Sequence, residues 1–182
     1  MVELSPEEKA SLKKILNALL KMDAKDILAY WIDEELEEAE LYYKLHEISK
    51  DVSWDERVSK LFYDLYRESL EHSEILLREY KKSYPNTNPE RPDVPSIENV
   101  LDRKLEDMVF RRNLKDILLT LMETEKLARD VYRYLAEKTK DEEKRKTFER
   151  LSKVEEGHYD RLRELYIKLY GEEGLPEKEP LE

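Results

Sequence analysis

The stretch KDILLTLMETEKLARDVYRYLAEKT, residues 115–139, aligns without a gap on an earlier stretch, KDILAYWIDEELEEAELYYKLHEIS, residues 25–49. Identical residues occupy eight aligned positions, which in the first copy are Lys25, Asp26, Ile27, Leu28, Glu35, Tyr42, Leu45 and Glu47. The segments that follow also align, with Phe62, Leu65, His72 and Leu76 falling on Phe148, Leu151, His158 and Leu162. An internal repeat of this length predicts a duplicated helical hairpin.

Apolar residues in both copies recur with an alternating four- and three-residue spacing, which is typical of a helix stripe that faces a core. In the second copy this stripe consists of Leu114, Leu118, Leu121, Ala128, Tyr132 and Leu135. Glu125 stands where another leucine is expected, and Glu35 is its equivalent in the first copy. A carboxylate in a core must be neutralised, paired or bound to metal, because burying it ionised and alone is very costly.

The composition restricts the classes of protein to consider. Of the 182 residues, 40% are hydrophobic and 42% charged, which suits long helices with narrow apolar stripes. The net charge of −11 argues against binding to nucleic acid or to anionic lipid. The absence of cysteine excludes disulfides, thiolate zinc sites and thiolate-held iron–sulfur clusters. Because we find neither a membrane-spanning run nor a signal peptide, we expect a cytoplasmic protein.

The spacing of the helical patterns predicts an all-α chain in three parts. Residues 1–24 form an N-terminal helix that packs on a bundle, residues 25–170 form the bundle, and residues 171–182 are a charged tail. The bundle helices are predicted at about 25–49, 54–82, 113–139 and 141–169, with a crossover at 83–112. Prolines at 85, 89, 92 and 95 keep the start of the crossover from being helical. Two short-linked helix pairs joined by one long crossover predict a ferritin-like four-helix bundle.

Acidic and imidazole side chains fall on the inward faces of all four predicted helices. Glu155 and His158 are three residues apart, so both side chains can reach one ion. The repeat places His72 at the position that matches His158. We therefore expect five side chains to converge on one region in the middle of the bundle: Glu35, Glu125, His72, Glu155 and His158.

These residues resemble the ligands of the ferritin-like di-iron carboxylate superfamily, and most closely of its rubrerythrin-like branch. The resemblance rests on Glu-x6-Tyr in both copies (Glu35 with Tyr42, Glu125 with Tyr132) and on Glu155-x-x-His158. It covers roughly residues 25–170. In that family, a glutamate from each of two helices and Glu-x-x-His from each of the other two hold two iron ions.

The chain departs from the family pattern in the first hairpin. Three residues before His72 stands Ser69, where the pattern requires glutamate. Glu68 lies on nearly the same face of the helix and is the preferred substitute, while Glu38 occupies the stripe position of Ala128 and is the second candidate. A third outcome is a weakened or missing ion site.

The resemblance implies a non-haem di-iron protein that performs redox chemistry with peroxide or oxygen. Carboxylate and imidazole ligands suit iron or manganese, and zinc is less suited to so many oxygen ligands. Tyr42 and Tyr132 are either core aromatics or donors to ligand carboxylates. Without a rubredoxin domain, electrons would come from a separate donor protein. We also expect a homodimer, formed through the first helix and residues 97–110.

Two rival functions remain open from the sequence. The chain could bind iron as a ferroxidase or in a storage-linked role, or it could be a metal-free helical scaffold. Gly157, in the middle of a predicted helix beside His158, is explained equally well by close helix packing and by a catalytic need.

Overall fold

The computed structural model describes residues 5–97 and 113–175, which contain helices and no strands. The helices are α1 (Pro6–Lys21), α2 (Ala24–Asp51), α3 (Glu56–Ser83), α4 (Leu114–Lys138) and α5 (Glu142–Tyr170). The ends of α2 to α5 lie within two residues of the ends predicted from the sequence. Most of the predicted dimer segment at 97–110 and most of the tail at 171–182 lie outside the described residues.

The four long helices form two antiparallel hairpins. Helices α2 and α3 form the first hairpin, which lies in the compact unit Lys21–Val94. Helices α4 and α5 form the second hairpin, in the unit that combines Met1–Leu20 with Pro95–Glu182. The predicted fold class, an all-α ferritin-like four-helix bundle with an additional N-terminal helix, is confirmed. Among the described residues, no helix is both long and apolar enough to cross a bilayer.

Each hairpin begins its two helices with the same kind of N-cap. The side chains of Asp23 and Asn113 accept hydrogen bonds at the starts of α2 and α4, and Asp55 and Asp141 do so at the starts of α3 and α5. Hydrogen bonds from Arg57 lower the pKa of Asp55 to about 2, so this cap stays ionised at neutral pH. The caps therefore repeat along with the helices that they initiate.

The cores of the two hairpins are built from matching aromatic contacts. Tyr42 stacks on Phe62 with ring centroids 6.2 Å apart, and Tyr132 stacks on Phe148 at 6.5 Å. All four rings are buried. Because equivalent residues make equivalent contacts inside each hairpin, the duplication seen in the sequence extends to the packing.

One arginine joins the first part of the crossover to α2 through ion pairs. Arg91 forms ion pairs with Asp33, with Glu34 at 3.0 Å and with Glu37 at 2.6 Å. Its guanidinium also lies 5.8 Å from the centre of the Tyr30 ring. These contacts hold the proline-rich segment, which is not helical, against the helix that carries Glu35.

Gly157 has open space around it, although it lies in the middle of α5. A Cβ atom added there would meet no heavy atom within 4 Å outside the neighbouring helix backbone. Close packing therefore does not explain this glycine. Glycine in a helix loses more backbone entropy on folding than alanine does, so Gly157 lowers the stability of α5.

We expect Gly157→Ala to raise the free energy of unfolding by about 0.5–1 kcal/mol, because alanine restricts the unfolded chain and fits the available space. Urea denaturation followed by circular dichroism measures this difference. Metal content should remain that of the wild type. A destabilised variant would show that the glycine is needed for packing or function.

Candidate metal centre

The second hairpin brings three predicted ligands together. Nδ1 of His158 lies 3.7 Å from Oε2 of Glu125 and 3.8 Å from Oε2 of Glu155. One ligand atom from each residue falls within a group whose members all lie within 4.8 Å of one another. All three side chains are buried. Helix α4 supplies Glu125, and the three-residue spacing on α5 places Glu155 and His158 on the same face.

The first hairpin brings together the equivalent glutamate and histidine. Oε2 of Glu35 lies 3.3 Å from Nδ1 of His72. The other oxygen of Glu35 accepts a hydrogen bond of 2.8 Å from the indole nitrogen of Trp31, one turn earlier on α2. Glu35 is 2% exposed, whereas the side chain of His72 is 29% exposed. This pair is therefore the more accessible of the two histidine–carboxylate pairs.

Ser69, which stands where the family pattern has glutamate, contacts a carboxylate of α2. Its hydroxyl donates to Oε2 of Glu38 at 3.1 Å and is also 3.1 Å from the carbonyl oxygen of Leu65. Ser69 and Glu38 are both buried, at 0% and 3% exposed. Glu68, the other candidate, is only partly buried. A carboxylate of α2 thus lies next to the position that the missing glutamate of α3 would occupy.

The side chains in each hairpin suit a hard or borderline divalent cation. The second hairpin places Glu125, Glu155 and His158 close together, and the first places Glu35 beside His72 and Glu38 beside Ser69. These oxygen and imidazole nitrogen donors fit iron or manganese. The four glutamates are each 5% exposed or less, so their charge needs compensation. Two divalent cations would balance four carboxylates. The donor set and its burial therefore fit the metal that the sequence analysis expects.

Tyr42 and Tyr132, which the sequence analysis singled out, and also His46 have structural contacts. The buried rings of Tyr42 and Tyr132 stack on phenylalanines, and their role as donors to ligand carboxylates stays a prediction. His46 lies near the end of α2, where its Nδ1 is 2.9 Å from the carbonyl oxygen of Ser59. This histidine joins α2 to α3 and lies three turns from Glu35.

Sequence reasoning missed two polar contacts near the centre. It did not anticipate the hydrogen bond from Trp31 to Glu35, although an indole donor one turn before a buried glutamate is a usable signal for it. It also did not anticipate the buried pair of Arg129 and Asp130, joined at 2.7 Å on α4. The equivalents of this pair, Ala39 and Glu40, give no indication of it, and Glu40 is exposed.

The chain resembles known proteins along most of its length. A family model described as Rubrerythrin matches residues 26–166. A hypothetical protein from Pyrococcus furiosus has a similar structure, with a TM-score of 0.58 and 22% sequence identity. The alignment covers 85% of this chain and 94% of the Pyrococcus protein, and at this identity it shows a shared fold alone. The comparison with curated proteins gives no match.

Proposed function

The chain belongs to the rubrerythrin family, and on this premise we propose that its two hairpins bind a pair of iron ions for redox chemistry with peroxide or oxygen. The proposed ligands are two glutamates and one histidine from each hairpin: Glu35, Glu38, His72, Glu125, Glu155 and His158. In ferritin-like di-metal proteins the ligands likewise project inward from all four bundle helices.

The observation that carries this proposal is the set of buried glutamates, with a histidine beside a glutamate in each hairpin. Glu125, Glu155 and His158 lie together in one hairpin, while Glu35 lies beside His72 in the other. A metal-free protein would have to keep these carboxylates protonated or hydrated, at a cost in stability. Two divalent cations remove that cost, which is why metal binding is favoured over a purely structural role.

We favour Glu38 over Glu68 as the substitute for the glutamate missing at Ser69. Glu38 is buried and accepts a hydrogen bond from Ser69, whereas Glu68 is only partly buried. This reverses the order of preference drawn from the sequence. In the proposal both carboxylates of the first hairpin come from α2, while α4 and α5 each supply one in the second.

Residues beyond the ligands orient the carboxylates. The indole of Trp31 donates to one oxygen of Glu35, which leaves the other oxygen directed toward His72. The hydroxyl of Ser69 restrains Glu38 in the same way. Bound iron would supply the one-electron chemistry with peroxide or oxygen, and the chain fixes the ligands and limits access of water. Electrons would come from a separate donor protein.

We expect the protein purified with added ferrous iron to hold two irons per chain, and Glu125→Ala to lose at least one, because a buried ligand is removed. Elemental analysis measures both values. Glu137→Ala is the matched control, because Glu137 is an exposed glutamate on the same helix. If wild-type protein and both variants hold no metal, the proposal fails and the chain is a helical scaffold.

We expect Glu38→Gln to weaken iron binding more than Glu68→Gln, because only Glu38 is buried beside Ser69. Adding Ser69→Glu to Glu38→Gln should restore binding, since it returns a carboxylate to the position matching Glu155. Ser69→Ala alone should cost about 10- to 100-fold in affinity, as is usual for groups that orient a metal ligand.

Competition with a chelator of known iron affinity measures these changes in binding. A larger loss in Glu68→Gln would identify Glu68 as the ligand. If the double variant keeps its helical circular dichroism but does not regain iron binding, then Glu38 does not replace the glutamate missing at position 69.

We expect the iron-loaded protein to consume hydrogen peroxide over many turnovers when a chemical reductant is supplied, and Glu125→Ala to lose this activity. Loss of peroxide absorbance at fixed protein concentration follows the reaction. A protein that instead oxidises ferrous iron and retains many irons per chain in a large assembly would be a storage or ferroxidase protein. Sedimentation of the loaded sample separates these two outcomes.

A further inference from the structure

The two histidines of the candidate metal centre differ in exposure to solvent. The side chain of His72 is 29% exposed, whereas that of His158 is 3% exposed. The glutamates beside His158, Glu125 and Glu155, are also buried. A chelator or a water molecule can therefore reach the imidazole of the first hairpin directly, while these three donor groups of the second hairpin are enclosed.

The donor groups also differ in charge. Two carboxylates lie 3.7 Å and 3.8 Å from Nδ1 of His158, so the second hairpin offers two negative charges and an imidazole. In the first hairpin Glu35 lies 3.3 Å from His72, but Ser69 stands at the position that matches Glu155. Because a neutral hydroxyl attracts a divalent cation less than a carboxylate does, we expect the first hairpin to bind its cation more weakly.

Hydrogen bonds compensate part of the carboxylate charge in the first hairpin. Trp31 donates to Glu35 at 2.8 Å, and Ser69 donates to Glu38 at 3.1 Å. The residue that matches Trp31 in the second hairpin is Leu121, which has no polar side-chain atom. A buried carboxylate that keeps a hydrogen bond loses less stability when its cation leaves. These bonds therefore reduce the cost of releasing a cation from the first hairpin.

Acidic side chains lie on the same side of α3 as the exposed histidine. Glu68 comes four residues before His72 and Glu79 seven residues after it, and both glutamates are partly buried. The matching residues of the second hairpin are Val154 and Leu165, which carry no charge. Carboxylates raise the local concentration of cations and the rate at which they bind. The first hairpin therefore has a feature that attracts cations, and its copy lacks it at these positions.

We propose that the first hairpin holds an exchangeable cation and the second hairpin a permanent one, and that Glu68 binds cations transiently as they reach His72 or leave it. This inference rests on the proposed function, because it requires a cation in each hairpin. It gives Glu68 a role although Glu38 is the favoured ligand. It also implies that the first hairpin can take up a different divalent ion, such as manganese, while the second retains iron.

We expect a chelator to remove one iron per chain from the iron-loaded protein quickly and the other about 10- to 100-fold more slowly, which is the range over which a supporting group changes metal affinity. Absorbance of the iron–chelator complex, followed with time without oxygen, measures both rates. Adding manganous ion after the fast phase should give a protein with one iron and one manganese per chain. Anomalous diffraction at the two absorption edges should place manganese beside His72 and iron beside His158.

Glu68→Gln should slow both release and refilling at the first hairpin about 10-fold, because the local carboxylate that speeds the encounter is lost. Since both directions slow equally, the affinity for the cation should change little, which agrees with the smaller effect expected of this variant on equilibrium binding. Glu74→Gln is the matched control and should exchange as the wild type does, because Glu74 is an exposed glutamate on the opposite side of the same helix.

Release of both irons at one rate, or manganese beside His158, would overturn this inference and leave the two-iron proposal standing. An exchange rate that is the same in Glu68→Gln as in the wild type would overturn the role given to Glu68. A protein that binds no iron under any of these conditions would overturn both the inference and the proposed function.

Discussion

Burial of carboxyl groups is the constraint on which the rest of this structure depends. Glu35, Glu38, Glu125 and Glu155 are buried in helices whose other buried residues are mostly apolar and aromatic. Such groups are stable inside a protein only when hydrogen bonds, imidazoles or cations compensate them. Trp31 and Ser69 supply hydrogen bonds, and His72 and His158 lie within 4 Å of glutamate oxygens. The proposed metal ions would supply the remaining positive charge.

The duplicated hairpins preserve their cores and caps while they differ in two respects. On the inside, Ser69 replaces the glutamate of one helix, and Glu38 of the neighbouring helix occupies the adjoining space. On the outside, one hairpin is tyrosine- and leucine-rich where the other is charged. The first difference would keep two carboxylates and one histidine in each hairpin.

The sequence predicts the fold well because helix periodicity, caps and the repeat all support the same assignment. The repeat also identifies Glu35 and Glu125 as a pair, which neither stripe would establish by itself. The choice between Glu38 and Glu68 could not be made from the sequence, because both lie within reach of the inward face and only packing decides which is buried. Burial of Asp130 was equally unpredictable, since its counterpart in the first hairpin, Glu40, is exposed.

A crystal of the protein grown with ferrous iron, measured at the iron absorption edge, tests most directly whether these carboxylates bind metal. The anomalous difference map should contain two peaks, one beside Glu35 and His72 and one beside Glu125, Glu155 and His158. A map without peaks at these side chains, in which the glutamates are compensated by protons, water or hydrogen bonds alone, would contradict the account.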